Sequence, residues 1–111
     1  MLAASTLLSL GLGIGCGLAL MGQLQASGTI VSQKGRMFLP DALTLARGET
    51  ITIVNDDSDL LHHAYVDSPN FSFDSGDQEP GSRTPVTFSE KGVFQVLCGI
   101  HPKMKLVVKV N

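Results

Sequence analysis

Short apolar runs separated by turn residues are the feature that most restricts the fold of this chain. The runs are rich in β-branched residues, as in 50–54, and turn signals such as 55–59 and Lys91-Gly92 interrupt them. Runs of this length favour strands, and a sustained helical period is absent from the sequence. The predicted strands are 42–45, 50–54, 60–66, 85–88, 92–98 and 106–110, with 68–82 mostly loop. Many short strands at this spacing predict an all-β sandwich.

The beginning of the chain differs from the rest because its first charged residue is Lys34. An apolar stretch over 7–21 is followed by Leu24-Gln25-Ala26, which fits a signal-peptidase site. We expect residues 1–26 to be a signal peptide, with a membrane or lipid anchor as the alternative. Residues 27–111 are then one domain that is exported, for example to the periplasm, and it is held at a membrane only if the leader is retained.

Charge is distributed unevenly along the predicted domain. Between residues 48 and 82 there are eight acidic residues and no Lys or Arg, whereas from Lys91 onward there are four lysines and no acid. A basic cluster dense enough for nucleic acid is missing from the sequence, so we expect no nucleic-acid partner. If the acids gather on one face, they form a negative surface that attracts a cationic partner.

Cys98 occupies a position where a thiol has few ordinary roles. Cys16 leaves with a cleaved leader, so Cys98 then has no cysteine partner in the domain and is either an inert buried thiol or a reactive or metal-bound one. In the strand predicted over 92–98, Phe94, Val96 and Cys98 share one face. The two apolar neighbours predict that this face is the core, with the thiol at the end of the strand.

A regular spacing follows this strand. Cys98, His101 and Met104 recur at intervals of three, while Gly99 permits a tight bend and Pro102 stops a helix from continuing. A loop of this kind can direct a thiolate, an imidazole and a thioether at one centre. Taken singly, each residue has an ordinary interpretation: a buried thiol, a surface histidine and a core-filling methionine.

The dipeptide His62-His63, upstream in the chain, offers a further imidazole. Two imidazoles and a thiolate with a weak axial thioether form the ligand set of electron-transfer copper. Adjacent residues of a strand point to opposite faces, so at most one of the two histidines should reach Cys98.

At these residues the sequence resembles the cupredoxins, the type 1 or blue copper proteins. It is most similar to amicyanin- and plastocyanin-like members and to small copper proteins associated with methylamine utilisation. The segment 48–55 looks like the family's strand ending in asparagine. Leu61-His62-His63-Ala64 matches its His-Asn-Val with His63 in place of the asparagine, and Cys98-Gly99-Ile100-His101-Pro102-Lys103-Met104 matches its Cys-x2-His-Pro-x2-Met loop.

The resemblance implies a Greek-key β-sandwich and one copper ion that cycles between Cu(I) and Cu(II). It favours His62 over His63, so that the implied metal ligands are His62, Cys98, His101 and Met104. It also implies that Asn55 lies behind the ligands and ties the upstream ligand segment to the cysteine loop. Pro102 and His63 are expected beside the ligand set, His63 as an outer group, a surface histidine or a second metal contact.

The resulting hypothesis is a non-enzymatic protein that carries single electrons. It needs no small-molecule substrate, and its redox partner is expected to be a c-type cytochrome or a dehydrogenase that meets the edge of His101. The alternatives are a copper carrier without a redox role, an enzyme that uses Cys98 as a nucleophile, and a zinc site, for which Met104 is an unusual ligand.

Overall fold

The computed structural model describes residues 28–111, and the leader expected over 1–26, including Cys16, lies outside the described residues. Within 28–111 the regular structure consists of strands, and no helix long and apolar enough to cross a membrane is present. The strands are β1 (Thr29–Lys34), β2 (Met37–Leu39), β3 (Ala42–Leu45), β4 (Thr50–Asn55), β5 (Ala64–Ser68), β6 (Phe71–Asp74), β7 (Arg83–Thr87), β8 (Gly92–Cys98) and β9 (Lys105–Val110).

Two mixed sheets face each other. One has the strand order β2-β1-β4-β7 and the other the order β3-β9-β8-β5-β6. β1 pairs in parallel with β4 and β3 with β9, while the remaining pairs are antiparallel. Because successive strands repeatedly cross from one sheet to the other, the connectivity is of the Greek-key type. The predicted all-β Greek-key sandwich is confirmed.

The core between the sheets follows the alternation of the strands. In β8 the inward residues Phe94, Val96 and Cys98 are buried, whereas Val93 and Gln95 face outward. The rings of Phe71, Phe88 and Phe94 pack together, with centroids 5.2 to 6.1 Å apart. These apolar faces exclude water from the sandwich and stabilise it.

The prediction of 68–82 as mostly loop is wrong for residues 71–74, which form β6 at the edge of the larger sheet. Phe71 and Phe73 pack against the core there, while the nearby Pro69 and Gly76 obscure the short alternation in the sequence. β5 also starts later than the predicted strand 60–66, at Ala64. β1 was not predicted, since the polar Gln33 is one of its buried inward residues.

Candidate metal centre

Cys98 lies at the end of β8, where its inward side chain closes one rim of the core. The thiol is free and buried, as the alternation of β8 predicted. Antiparallel pairing aligns Cys98 with Ala64, the first residue of β5. The residues just before β5 therefore lie beside the sulfur.

His62 belongs to that neighbouring segment and is completely buried. Its backbone forms an isolated bridge with Gln78, donating to the Gln78 carbonyl at 3.1 Å and accepting from the Gln78 amide at 2.7 Å. This pairing directs the ring inward, with Nδ1 3.9 Å from Cys98 Sγ. His62 is thus the histidine of the pair that reaches the sulfur.

His101 also approaches the sulfur. Its Nδ1 lies 3.7 Å from Cys98 Sγ, and its ring centroid lies 5.0 Å from that of His62. The donor atoms of His62, Cys98 and His101 all lie within 4.8 Å of one another. The structure therefore brings together three of the four residues singled out in the sequence as a possible metal site.

The spacing of these donors fits a shared metal ion. Zinc, a divalent ion that takes the same donors, binds a thiolate at about 2.3 Å and an imidazole at about 2.0 Å. One bond of each kind, at roughly 120° to each other as in a trigonal site, places sulfur and nitrogen about 3.7 Å apart. The two sulfur–nitrogen distances, 3.9 and 3.7 Å, agree with this separation.

Met104, the fourth residue, is buried where the loop returns to the core. Its backbone amide donates to the His101 carbonyl at 3.0 Å, which closes the turn between them. Met104 also lines a surface groove together with His101. A ligand and a core filler would both be buried here, so ligation by the thioether belongs to the proposal below.

Comparison with known proteins places this geometry in a fold. No protein-family model and no curated protein matches the chain. Among solved structures, a reduced Cu(I) form of an amicyanin variant matches with a TM-score of 0.70 and 19% identity, covering 77% of this chain and 83% of that one. An oxidized amicyanin variant matches with a TM-score of 0.69 and 20% identity over 76% of this chain and 82% of that one. The chain has the cupredoxin fold.

A larger copper protein shares the fold. The copper-containing nitrite reductase from Thermus scotoductus SA-01 is 30% identical, with a TM-score of 0.69 over 77% of this chain. The match spans only 22% of the reductase chain, so this cupredoxin-like chain corresponds to a small part of that enzyme. The similarity therefore extends to a copper protein outside the amicyanins.

Within this cupredoxin fold, Asp57 holds the far side of the His62 ring. Its Oδ2 lies 2.7 Å from His62 Nε2, and its Oδ1 accepts the Gly35 amide at 3.1 Å. The hydrogen bond to His62 lowers the pKa of the Asp57 carboxyl, and the Gly35 amide lowers it further. A carboxylate on the second ring nitrogen fixes the tautomer so that Nδ1 is the free donor atom. Sequence analysis missed this role, although Asp57 stands in the turn that precedes His62.

Asn55 has different partners from those that the resemblance implied. Its side-chain amide donates to the carbonyls of Leu60 and Gln78, and its Oδ1 accepts the Asp57 amide. These bonds brace the turn that carries Asp57 and His62. They do not reach the cysteine loop, which is instead joined to the upstream segment by the Gly99 amide donating to the His63 carbonyl at 2.8 Å. The implied tie through Asn55 is corrected accordingly.

Gln78 is a second buried polar residue that sequence analysis missed. Its Oε1 accepts from Gln33 Nε2 at 2.8 Å and from the Ala64 amide at 3.0 Å, while its Nε2 donates to Thr84 Oγ1 at 3.0 Å. Gln78 thus joins both sheets beside the bridge that orients His62. Its place in a segment read as loop gave no local signal of this role.

His63 points away from the sulfur. Its Nε2 lies 2.6 Å from Asp74 Oδ1 and its Nδ1 4.0 Å from Asp77 Oδ1, and both carboxylates are largely exposed. The pKa of Asp74 is lowered first by its hydrogen bond from the Gly76 amide and then by the one to His63. His63 is therefore an outer group on the opposite face of the segment from His62.

His101 is the partly exposed member of the cluster. Burial lowers its pKa, and the nearby His62 and Arg36 lower it further, while Asp57 acts in the opposite direction. Pro102 is exposed beside it and lines the same groove. This edge of the cupredoxin fold is where the cluster approaches the surface.

Proposed function

We propose that this chain carries single electrons through a type 1 copper site held by His62, Cys98, His101 and Met104. The observation that carries the proposal is the triangle formed by the Cys98 sulfur and two imidazole nitrogens, which lie 3.9 and 3.7 Å from the sulfur. A thiolate with two imidazoles and a weak axial thioether is the donor set of electron-transfer copper. The solved relatives described as Cu(I) and oxidized forms of amicyanin support the choice of metal.

The protein side of this function is to hold the donors still. Copper, when bound, supplies a one-electron change between Cu(I) and Cu(II). The bridge to Gln78 and the Asp57 hydrogen bond fix His62, and the strand end fixes Cys98. Donors that are held in one arrangement by buried hydrogen bonds rearrange little when the charge changes, which keeps the barrier low. A catalytic acid or base is not required, so the proposal is for a carrier and not an enzyme.

The burial of the donors favours electron transfer over copper delivery. Cys98 and His62 are buried in the sandwich, so a recipient protein cannot displace them from the metal without opening the core. His101 alone of the three reaches the surface, beside the exposed Ile100 and Pro102. An exposed ring edge is suited to passing an electron and poorly suited to releasing an ion.

The sequence supports a proposal for the cellular setting. We propose an exported, periplasmic location with a leader over 1–26, and a redox protein such as a c-type cytochrome or a dehydrogenase as the partner. Neither nucleic acid nor a small-molecule substrate is part of the proposal.

The decisive experiment is a visible and electron paramagnetic resonance spectrum of the protein loaded with Cu(II). Bonding from the Cys98 thiolate should give an intense visible charge-transfer band that a reductant bleaches. Cys98→Ser should abolish the band, because a hydroxyl does not replace a soft thiolate. A colourless Cu(II) complex with ordinary square-planar parameters would rule out the type 1 assignment.

A further inference from the structure

The exposed edge of His101 opens into a shallow groove that combines apolar and basic residues. Its lining consists of Arg36, Ile100, His101, Pro102, Lys103 and Met104. Ile100 is 42% exposed, and Met37, which lines the adjoining groove, is 52% exposed. An apolar centre of this kind around a redox edge is suited to contact with another protein.

The charges around this apolar centre are mainly positive. Arg36 and Lys103 line both grooves, Lys105 lines the second, and Asp41 is the one acid in either lining. Asp57 is also close enough to affect His101, but its side chain is only 10% exposed and is bound to His62 and Gly35. The His101 face, defined as Arg36, Met37, Ile100, His101, Pro102 and Lys103, therefore presents a basic rim.

Arg36 occupies its place on this rim at a conformational cost. Lys34 pairs with Met37, so Gly35 and Arg36 form the two-residue turn of the β1–β2 hairpin. Both have φ of 61°, a combination for which glycine and asparagine are the favoured residues. An arginine side chain at such a position is strained relative to glycine. The hairpin thus places an arginine at the groove in a backbone conformation that glycine would adopt with less strain.

Two acids of the acid-rich segment lie away from this face. Asp74 and Asp77 flank His63, which points away from the metal centre, and neither lines the grooves at His101. These two acids of the expected negative surface therefore lie beside His63. Asp56 and Asp57 lie nearer, against the β1–β2 hairpin, where Asp56 bonds to Ser32 and Lys34 and Asp57 to Gly35. The linings of the grooves at His101 remain mainly basic.

We propose that the His101 face docks a redox protein whose contact surface has an apolar centre ringed by carboxylates. The inference rests on the proposed electron-carrier function and adds the chemistry of the partner. Arg36 and Lys103 would pair with partner carboxylates, Arg36 through a planar guanidinium that can bind a carboxylate with two hydrogen bonds. Attraction of this kind accelerates encounter and weakens as salt screens it.

The first test measures the charge preference with the full-length, copper-loaded and reduced protein in stopped flow. The protein passes one electron either to hexacyanoferrate(III), an anion, or to tris(1,10-phenanthroline)cobalt(III), a cation. The double variant Arg36→Glu/Lys103→Glu should react with the anion at least tenfold more slowly at low salt and with the cation faster. In the wild type, the rate with the anion should fall as salt rises.

The matched control is Lys91→Glu/Lys109→Glu, which changes the net charge by the same amount. Lys91 precedes Gly92, and Lys109 pairs with Val93, so both lie at the end of the β8–β9 pair remote from Cys98. This variant should stay within twofold of the wild type with both reagents. Equal rates for the two double variants would overturn the proposal.

The second test asks whether a protein, and not merely an anion, fits this face. Ile100→Ser should slow electron transfer to a strongly acidic c-type cytochrome several-fold more than it slows electron transfer to hexacyanoferrate(III). An acidic cytochrome that reacts more slowly than a strongly basic one at low salt, or is indifferent to Ile100→Ser, would overturn the docking surface.

Arg36→Gly provides the check against misfolding. Glycine suits the positive φ, so this variant should unfold at a higher temperature and yet react more slowly with the acidic cytochrome. If it unfolds at a lower temperature or keeps the wild-type rate, the assigned role of Arg36 fails. An absent charge-transfer band in the wild type would refute the electron-carrier function itself, whereas an intact band with unaltered variant rates would refute only the docking surface.

Discussion

The two histidines of the candidate site lie in contrasting surroundings. His62 is completely buried, and its backbone and ring are both hydrogen bonded, to Gln78 and Asp57. His101 sits in a short loop between β8 and β9, partly exposed, with the exposed Ile100 and Pro102 on either side. The upstream half of the site, at His62, is thus built into the sandwich, and the downstream half, from Cys98 to Met104, reaches the surface at His101.

The contrast corresponds to two requirements of the proposed electron carrier. A buried and fully hydrogen-bonded ligand keeps the donor geometry constant when the charge of the site changes. An exposed ligand brings the site close to a partner, since the distance between redox centres must be short. We expect substitutions around His62 to alter the site itself and substitutions of the exposed residues beside His101, such as Ile100, to alter mainly encounters.

The largest expected effect separates His62 from its neighbour. His62→Ala removes a donor atom next to the Cys98 sulfur and should destroy or strongly perturb the type 1 signal. His63→Ala removes a ring that points toward Asp74 and should leave the signal nearly intact. Visible and paramagnetic resonance spectra of the two copper-loaded variants check this. The opposite result would mean that the segment is one residue out of register with respect to Cys98.

The next effect concerns stability and compares Gln78 with Ile100. Gln78→Ala leaves the buried Gln33 side-chain amide without its acceptor and the Ala64 amide with Ser75 Oγ alone. An unsatisfied buried group costs about 1–3 kcal/mol, so we expect the free energy of unfolding to fall by at least about 1 kcal/mol.

Ile100→Ala serves as the comparison for this prediction. Its side chain is exposed, so the change should stay within about 0.5 kcal/mol. Urea denaturation without added copper measures both, because bound metal would otherwise add its own stabilisation. Equal losses would show that the two halves of the site do not differ in how firmly the fold holds them.

These two halves also differ in how much of them the sequence predicts. The downstream half is local: the alternation of β8 places Cys98 inward, and the spacing to His101 and Met104 is visible in one short segment. The strands rich in β-branched residues, such as β4, are equally well predicted from the sequence. Local patterns are therefore sufficient for the all-β class and for the cysteine loop, but they did not reveal β1 or β6.

The upstream half depends on contacts between distant segments. Gln78 bonds to Gln33, which is 45 residues away, and a buried glutamine pair leaves no periodic trace in the sequence. Asp57 reaches Gly35 and His62 only because the β1–β2 hairpin lies beside the turn before β5. The same hairpin brings Arg36 to the groove at His101, a placement that no local motif indicates.

Two substitutions of Met104 test whether its thioether is a metal ligand. Met104→Gln supplies an oxygen donor that favours the harder Cu(II), so it should lower the reduction potential, whereas Met104→Leu removes the donor and should raise it. We expect shifts of at least about 59 mV, a tenfold change in the one-electron equilibrium. Voltammetry measures both. Two shifts near zero would identify Met104 as a core-packing residue, for which leucine is a tolerated substitute.

The smallest expected effect lies in the buried half and concerns Asp57. Its carboxylate binds His62 Nε2 at 2.7 Å, which makes the ring a stronger electron donor and stabilises the more positive Cu(II) state. Asp57→Asn keeps the size of the side chain but removes the negative charge. The reduction potential should therefore rise, by less than about 59 mV.

Asp59→Asn is the matched control, because Asp59 is an exposed acid in the same turn and the formal charge lost is the same. Salt screens an exposed charge strongly and a mostly buried, hydrogen-bonded one much less. The shift caused by Asp57→Asn should therefore exceed that of Asp59→Asn and persist when the ionic strength is raised. Equal shifts that disappear together in salt would mean that Asp57 acts only through net charge, and the hydrogen bond to His62 would then have no electronic role distinct from holding the ring.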